Sequence, residues 1–259
     1  MELLSDHESV VTERRDLVYD DGTIDCHECG ANREDVSQHW SMGSCEYPKY
    51  TEKQYDILTG IVMGDATVQN GGGRTPRVEL YGTNERYLEY VREQFPLTFN
   101  DVSLKCTGEE QFDRLKDTDF DPNGSPGPYH DQFRLPSKSN DNNSNLLSWY
   151  STGEKVFPPD LSLNPIILRH YYACDGGMDK NRSSSYIQAN NENDRQDKIV
   201  EMFERVGLDV SFSSNRIRFK KSDTPGFLDR IGPAPPGMEY KWEYKDVERY
   251  ETLQEYAYR

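Results

Sequence analysis

No stretch of this sequence is apolar over anything near the roughly 20 residues that a membrane-crossing helix requires, so no membrane span is expected. The first residues show no apolar core of the kind a secretory leader carries, which points to a cytoplasmic protein. Cysteine is scarce and odd in number, at five, so a disulfide framework is not expected. Apolar residues are also few, 34% of the chain, but aromatics reach 12% and include 17 tyrosines. Those large side chains suffice for a core, which excludes global disorder. A chain of 259 residues can form one large domain or two smaller ones.

Cations are in deficit as well. Thirty Lys and Arg against 46 Asp and Glu leave a formal net charge of −16. Such a surface repels nucleic acid on average. Either the protein does not bind nucleic acid, or acidity is a whole-surface adaptation and one face keeps its own cations. The positions of the cations favour the second. Acidic residues crowd loops and exposed helix faces, whereas Arg74, Arg77, Arg134, Lys138, Arg216, Arg218, Lys220 and Lys221 recur in or beside strand-like segments. An acid-rich surface suits a salt-rich cytoplasm, which points to a halophilic archaeal or viral source. High salt weakens phosphate contacts, so base-edge and shape readout would carry more of any recognition.

Two segments dominate what is present. One is Leu58-Thr59-Gly60-Ile61-Val62-Met63-Gly64-Asp65-Ala66, the other Leu168-Arg169-His170-Tyr171-Tyr172-Ala173-Cys174-Asp175-Gly176. Each is a largely apolar or aromatic helix-like stretch that delivers one aspartate and then a small residue. A buried helix with a carboxylate at its end is costly unless that carboxylate is paired or binds a cation. Hard divalent cations such as Mg²⁺ prefer carboxylate and water oxygens. Gly60 and Gly64, at i and i+4, share one helix face and let a second backbone approach. His170 and Cys174 hold the matching positions of the second segment.

These segments resemble the LAGLIDADG motif of homing endonucleases. The motif's acidic metal ligand falls on Asp65 in the first copy and on Asp175 in the second, while its other acidic position holds Met63 and Ala173. The run Val156-Phe157-Pro158-Pro159-Asp160-Leu161, with Leu163-Asn164-Pro165 after it, resembles the start of the second half in the monomeric branch of that family. The resemblance spans about residues 51–245. It implies a monomer whose two motif helices pack together and present Asp65 and Asp175 to Mg²⁺ over the minor groove of double-stranded DNA, at a long, pseudo-palindromic site. It also implies a basic residue beside the carboxylates, matching Lys155 and Lys241, with Lys138 and Lys220 as competing candidates.

Residues outside that resemblance carry a second pattern, Cys26-x2-Cys29-x9-His39-x5-Cys45. Four thiol and imidazole ligands within a short segment suit one structural Zn²⁺ in a small module. His27 is an alternative to His39. Cys106 and Cys174 read as small buried hydrophobes.

Along the chain, an N-terminal segment (1–50) with the zinc pattern precedes two halves, 51–153 and 154–259. The first half reads as helix 51–64 capped by Thr51, strands 66–70 and 76–82 joined at Gly71-Gly72-Gly73, helix 84–95, strands 100–106 and 130–136, and a helix near 141–151, with a loop at 117–128. The second reads as a helix from Pro165 to about Cys174, strands around 178–188, helix 193–206 closed by Gly207, strands 208–213 and 215–220, a loop at 232–237 and a final helix or tail from about 245. This is an α+β fold of two pseudo-symmetric αββαββα halves, with the motif helices packed at their interface and two antiparallel DNA-binding sheets.

In Asn215-Arg216-Ile217-Arg218-Phe219-Lys220, strand alternation directs Arg216, Arg218 and Lys220 to one face and Ile217 and Phe219 to the other. Gln132 and Arg134 share a face opposite Phe133 and Leu135. With Gln69, Arg74, Arg77, Lys138 and Gln188 they form the candidate surface for a major groove, where Arg reads guanine and Gln reads adenine. The leading expectation is a site-specific, Mg²⁺-dependent DNA endonuclease. The alternative is a non-catalytic nucleic-acid-binding protein on the same scaffold, an RNA maturase or a regulator. A zinc enzyme using the Cys/His cluster is a third reading, which the closed four-ligand set disfavours.

Overall fold

A computed structural model describes residues 15–70, 75–115, 130–158, 160–179 and 181–244. The Gly71–Gly73 turn, the 117–128 loop, Arg74 and the tail from 245 lie outside the described residues. The chain divides into two compact units, residues 1–55 with 65–150, and residues 56–64 with 151–259.

The first unit opens with a two-stranded hairpin, β1 (Ile24–Asp25) and β2 (Asn32–Arg33), followed by α1 (Val36–Ser41). Ile24, Cys26, Val36 and Trp40 pack with Leu97 into a small core of their own. Helix α2 (Glu52–Met63) begins in this unit. Its start is a reciprocal cap. Thr51 Oγ1 accepts from the Gln54 N–H at 3.2 Å and Gln54 Oε1 accepts from the Thr51 N–H at 3.0 Å, satisfying two donors that a helix end leaves open.

The rest of the unit is a four-stranded antiparallel sheet, order β3-β4-β6-β5, from β3 (Ala66–Asn70), β4 (Pro76–Gly82), β5 (Ser103–Cys106) and β6 (Gln132–Pro136). Ala66, Val68, Val78, Leu80 and Leu135 are buried on its inner face. They meet α3 (Glu85–Glu93), whose Leu88 and Val91 are fully buried. A further helix, α4 (Gly108–Leu115), occupies the β5–β6 connection, where the sequence pattern predicts none. The segment read as one helix near 141–151 is instead two 3₁₀ turns around the short α5 (Ser144–Leu147).

The second unit contains the last two turns of α2 and repeats the plan. Helix α6 (Pro165–Asp175) starts at Pro165, with Asn164 accepting from the Ile167 N–H at 2.9 Å. Strands β7 (Gly176–Met178), β8 (Ser185–Gln188), β9 (Val210–Ser213) and β10 (Arg216–Phe219) form a sheet of order β7-β8-β10-β9. Numbered within each sheet, both orders are 1-2-4-3, the topological signature of the duplication. Helix α7 (Gln196–Glu204) ends at Gly207, where φ is +74° and the Leu208 N–H returns to Phe203 O at 3.1 Å. Such an αL turn favours glycine. The sequence reading also lacked α8 (Thr224–Ile231), whose Phe227 stacks on Phe219 with ring centroids 3.9 Å apart. The short α9 (Glu239–Trp242) is the last described helix.

Within this unit α2 and α6 pack through the two glycines. A Cβ on Gly60 would lie 2.5 Å from Ile167 O and 2.7 Å from His170 Cβ, and one on Gly64 would overlap Cys174 Cβ. The bulkier His170 and Cys174 fill the sockets that glycine leaves, and both are buried. Gly64→Ala is therefore expected to cost about 1–3 kcal/mol, the usual range for overpacking. Cys174→Gly should recover part of that loss. Denaturant unfolding of the single and double variants checks this, and strictly additive losses would refute the socket.

Candidate metal centres and cationic sheet faces

Asp65 lies two residues past the end of α2 and is exposed; Asp175 is the last residue of α6 and is half-buried. A Cβ at Gly64, the residue before Asp65, would come within 3.4 Å of Asp175 Oδ2. The carboxylate of the second motif thus reaches the end of the first motif helix. A carboxylate is a donor that a hard divalent cation takes.

Both motif helices end on a lysine. Lys155 Nζ donates to Val62 O, Met63 O and Gly64 O at 2.9, 3.2 and 2.6 Å. Lys241 Nζ donates to Ala173 O and Cys174 O at 2.6 and 2.7 Å. Each ammonium satisfies carbonyls that the last helical turn leaves without partners and opposes the negative end of the helix dipole. Each also lies at the carbonyl of the residue preceding a motif aspartate. The lysine backbones are themselves held, Lys155 O by Arg195 at 3.1 Å and Lys241 O by the Tyr172 hydroxyl at 2.9 Å. Neither support was visible in the sequence, because the partners are separated by many residues.

The Cys26, Cys29, His39 and Cys45 ligand atoms all lie within 4.8 Å of one another. Cys29 Sγ and His39 Nε2 are 3.4 Å apart, close to the edge of a zinc tetrahedron with bonds of about 2.0–2.3 Å. The first two thiols sit on a tight turn in which the Gly30 N–H donates to Cys26 O at 2.8 Å and Gly30 takes φ +69°. His39 is carried by α1, whose Asp35 cap accepts from the Ser37 and Gln38 N–H groups at 3.1 and 3.2 Å. Burial raises the Cys26 thiol, but the Cys29 and Glu28 backbone N–H groups outweigh it and bring it down to about 6. Burial, with the neighbouring thiols, pushes Cys45 up to about 12. A dication would remove that conflict, so this group could hold zinc. His27 lies against Trp40 instead, with centroids 5.9 Å apart.

The outer row of the first sheet carries Gln69, Arg77, Glu79, Tyr81 and Arg134, with Gln69 opposite Arg77 and Tyr81 opposite Arg134. Gln69 is exposed and Gln132 half-buried. Glu79 breaks the alternation, being only 2% exposed. Its Oε1 accepts from Arg134 at 2.5 Å and pairs with Arg77 at 2.9 Å; its Oε2 accepts from the Tyr81 hydroxyl at 2.6 Å. Burial raises its pKa, but the Tyr81 and Arg134 hydrogen bonds outweigh that and hold the carboxyl below the usual range. Lys105 covers the Tyr81 ring at 4.0 Å. Nothing local in the sequence marks Glu79, which in isolation looks like one more acidic residue of a solvated strand face.

On the second sheet, Arg216 bonds Gln188 Oε1 through Nε at 2.9 Å and lies 4.1 Å over the Tyr186 ring. Arg218 Nε donates to Ser213 Oγ at 2.9 Å. Ile217 and Phe219 are buried on the opposite face, so the alternation read from the sequence holds. Lys220 is exposed and pairs with Asp209. Lys138 stands apart from these rows. It donates to Phe99 O at 3.3 Å and lines a cavity of about 470 Å³ with Arg92 and Asp101, and burial lowers its pKa.

No protein-family model matches the chain, and no curated protein matches it. Among solved structures, the fold is similar to that of the homing endonuclease I-WcaI bound to its DNA recognition sequence. The TM-score is 0.65 and the identity 15%, over 85% of this chain and 97% of the other. The chain therefore has the fold of a homing endonuclease.

Proposed function

We propose that this protein is a site-specific, double-strand DNA endonuclease of the LAGLIDADG type, acting as a monomer with Mg²⁺. The carrying observation is the repeated helix end, in which an apolar helix closes on an aspartate while a lysine caps the carbonyls just before it. The shared fold with a homing endonuclease supports the same reading.

In this reading Asp65 and Asp175 hold the metal. Bound Mg²⁺ supplies a lowered pKa for attacking water and charge neutralisation at the phosphate. The remaining work belongs to the chain. Lys155 and Lys241 fix the helix ends on which the carboxylates sit and place positive charge beside the anionic backbone. Gly60 and Gly64 admit the second helix. Arg216, Arg218 and Gln188 offer donors to base edges on one sheet, and Arg77, Arg134, Gln69 and Gln132 do so on the other. Lys220 and Arg74 add phosphate contacts. Lys138, lining its cavity, is the weakest member of the set. The Cys26, Cys29, His39 and Cys45 group holds a structural zinc.

The testing experiment is digestion of a randomised duplex library in high-salt buffer with Mg²⁺, sequencing the fragment ends. A recurrent staggered break supports the endonuclease. Enrichment of one bound sequence with no cleavage would instead favour a non-catalytic binding protein.

A further inference from the structure

We infer that Glu79 is a specificity-determining positioning residue, a buried carboxylate that fixes Arg77 and Arg134 on the outer face of the first sheet. This deepens the DNA-binding reading and rests on it. The two sheets anchor their arginines differently. On the second sheet the anchors are neutral, namely Gln188, Ser213 and the Tyr186 ring. On the first, one carboxylate takes both guanidinium groups and is roofed by them.

Three consequences follow from that geometry. Glu79 is too buried to touch a nucleic acid, so it acts only through its neighbours. Each arginine is about one-third exposed, 36% for both side chains, and keeps donors beyond those spent on Glu79. Last, the carboxylate cancels one positive charge in the middle of a face that would meet phosphate. An arginine tethered this way cannot swing to the nearest phosphate, so its energy is kept for a base edge in a fixed register. The first sheet trades affinity for discrimination, whereas on the second Arg216 and Arg218 keep their full positive charge and only the peripheral Lys220 is paired, with Asp209.

The test is a comparison of wild type with Glu79→Gln, which preserves volume and removes the charge. Arg134→Ala and Arg216→Ala mark which target base pairs each sheet reads. Binding to a library of singly substituted targets, and to unrelated duplex, is measured across a salt series. Glu79→Gln should relax discrimination about tenfold at the positions marked by Arg134→Ala and leave those marked by Arg216→Ala unchanged. It should also bind unrelated duplex more tightly, with a steeper salt dependence. Loss of discrimination together with a gain of non-specific affinity cannot come from a merely damaged fold, which weakens both. Tyr81→Phe, which removes one contact to Glu79 but no charge, should relax the same positions less.

Unchanged discrimination in Glu79→Gln, equal relaxation at both sets of positions, or no positions marked by Arg134→Ala would overturn the inference. Wild-type protein that prefers no sequence at all would overturn the endonuclease reading itself, a separate failure.

Discussion

On the proposed mechanism Asp175→Asn is expected to reduce cleavage by at least about a thousandfold while leaving target binding intact or slightly tighter. The magnitude follows from several kcal/mol of metal-assisted stabilisation in the transition state, with each 1.36 kcal/mol worth a factor of ten. Asparagine keeps the volume and one carbonyl oxygen but loses the charge that holds a hard cation. Removing a negative group near phosphate also favours binding. On the proposed mechanism Asp65→Asn should behave alike, and the double variant should lose little more than either single one, as expected of residues that would act as a unit. Single-turnover cleavage alongside equilibrium binding separates the effects. Cleavage within threefold of wild type in both variants would remove these aspartates from the mechanism.

Removal of the Cys26, Cys29, His39 and Cys45 group, which could hold zinc, has the largest expected effect on stability. Coordination in small zinc modules is worth about 10–16 kcal/mol near neutral pH, and the segment from Ile24 to Trp40 has only a small apolar cluster to replace it. Purified protein should carry one zinc per chain by mass spectrometry. Cys26→Ser should lose it and expose amides 24–47 to rapid hydrogen exchange. Leu97 belongs to the same cluster, so protection should also weaken in the turn that follows α3. Mg²⁺-dependent cleavage by protein that stays folded would survive, as expected of a structural ion. Full protection of amides 24–47 in metal-free protein would contradict the zinc assignment.

What was legible in the sequence divides along a physical line. Local signals were readable: the Thr51–Gln54 cap, Asn164-Pro165 at the start of α6, the alternation in Arg216–Phe219 and the glycine face of α2. Each is written within a few residues. Helices α4 and α8 were missed, the latter because Pro225 and Gly226 look like loop residues although Phe227, Leu228 and Ile231 form its buried stripe. Glu79 was invisible for a different reason. Its burial depends on Arg134, 55 residues away and brought alongside only when β4 and β6 pair. The lysine caps share that origin, since Lys155 and Val62 O are separated by 93 residues.

The socket between α2 and α6 has an evolutionary consequence. Glycine sits on one helix and His170 and Cys174 on the other, so the two surfaces fit each other but not themselves. Two copies of α2 would meet glycine to glycine at a closer backbone separation than α6 allows, so the spacing set by His170 and Cys174 would be lost. Two copies of α6 would crowd imidazole against imidazole. A return to like-with-like pairing would therefore need coordinated changes at Gly60, Gly64, His170 and Cys174.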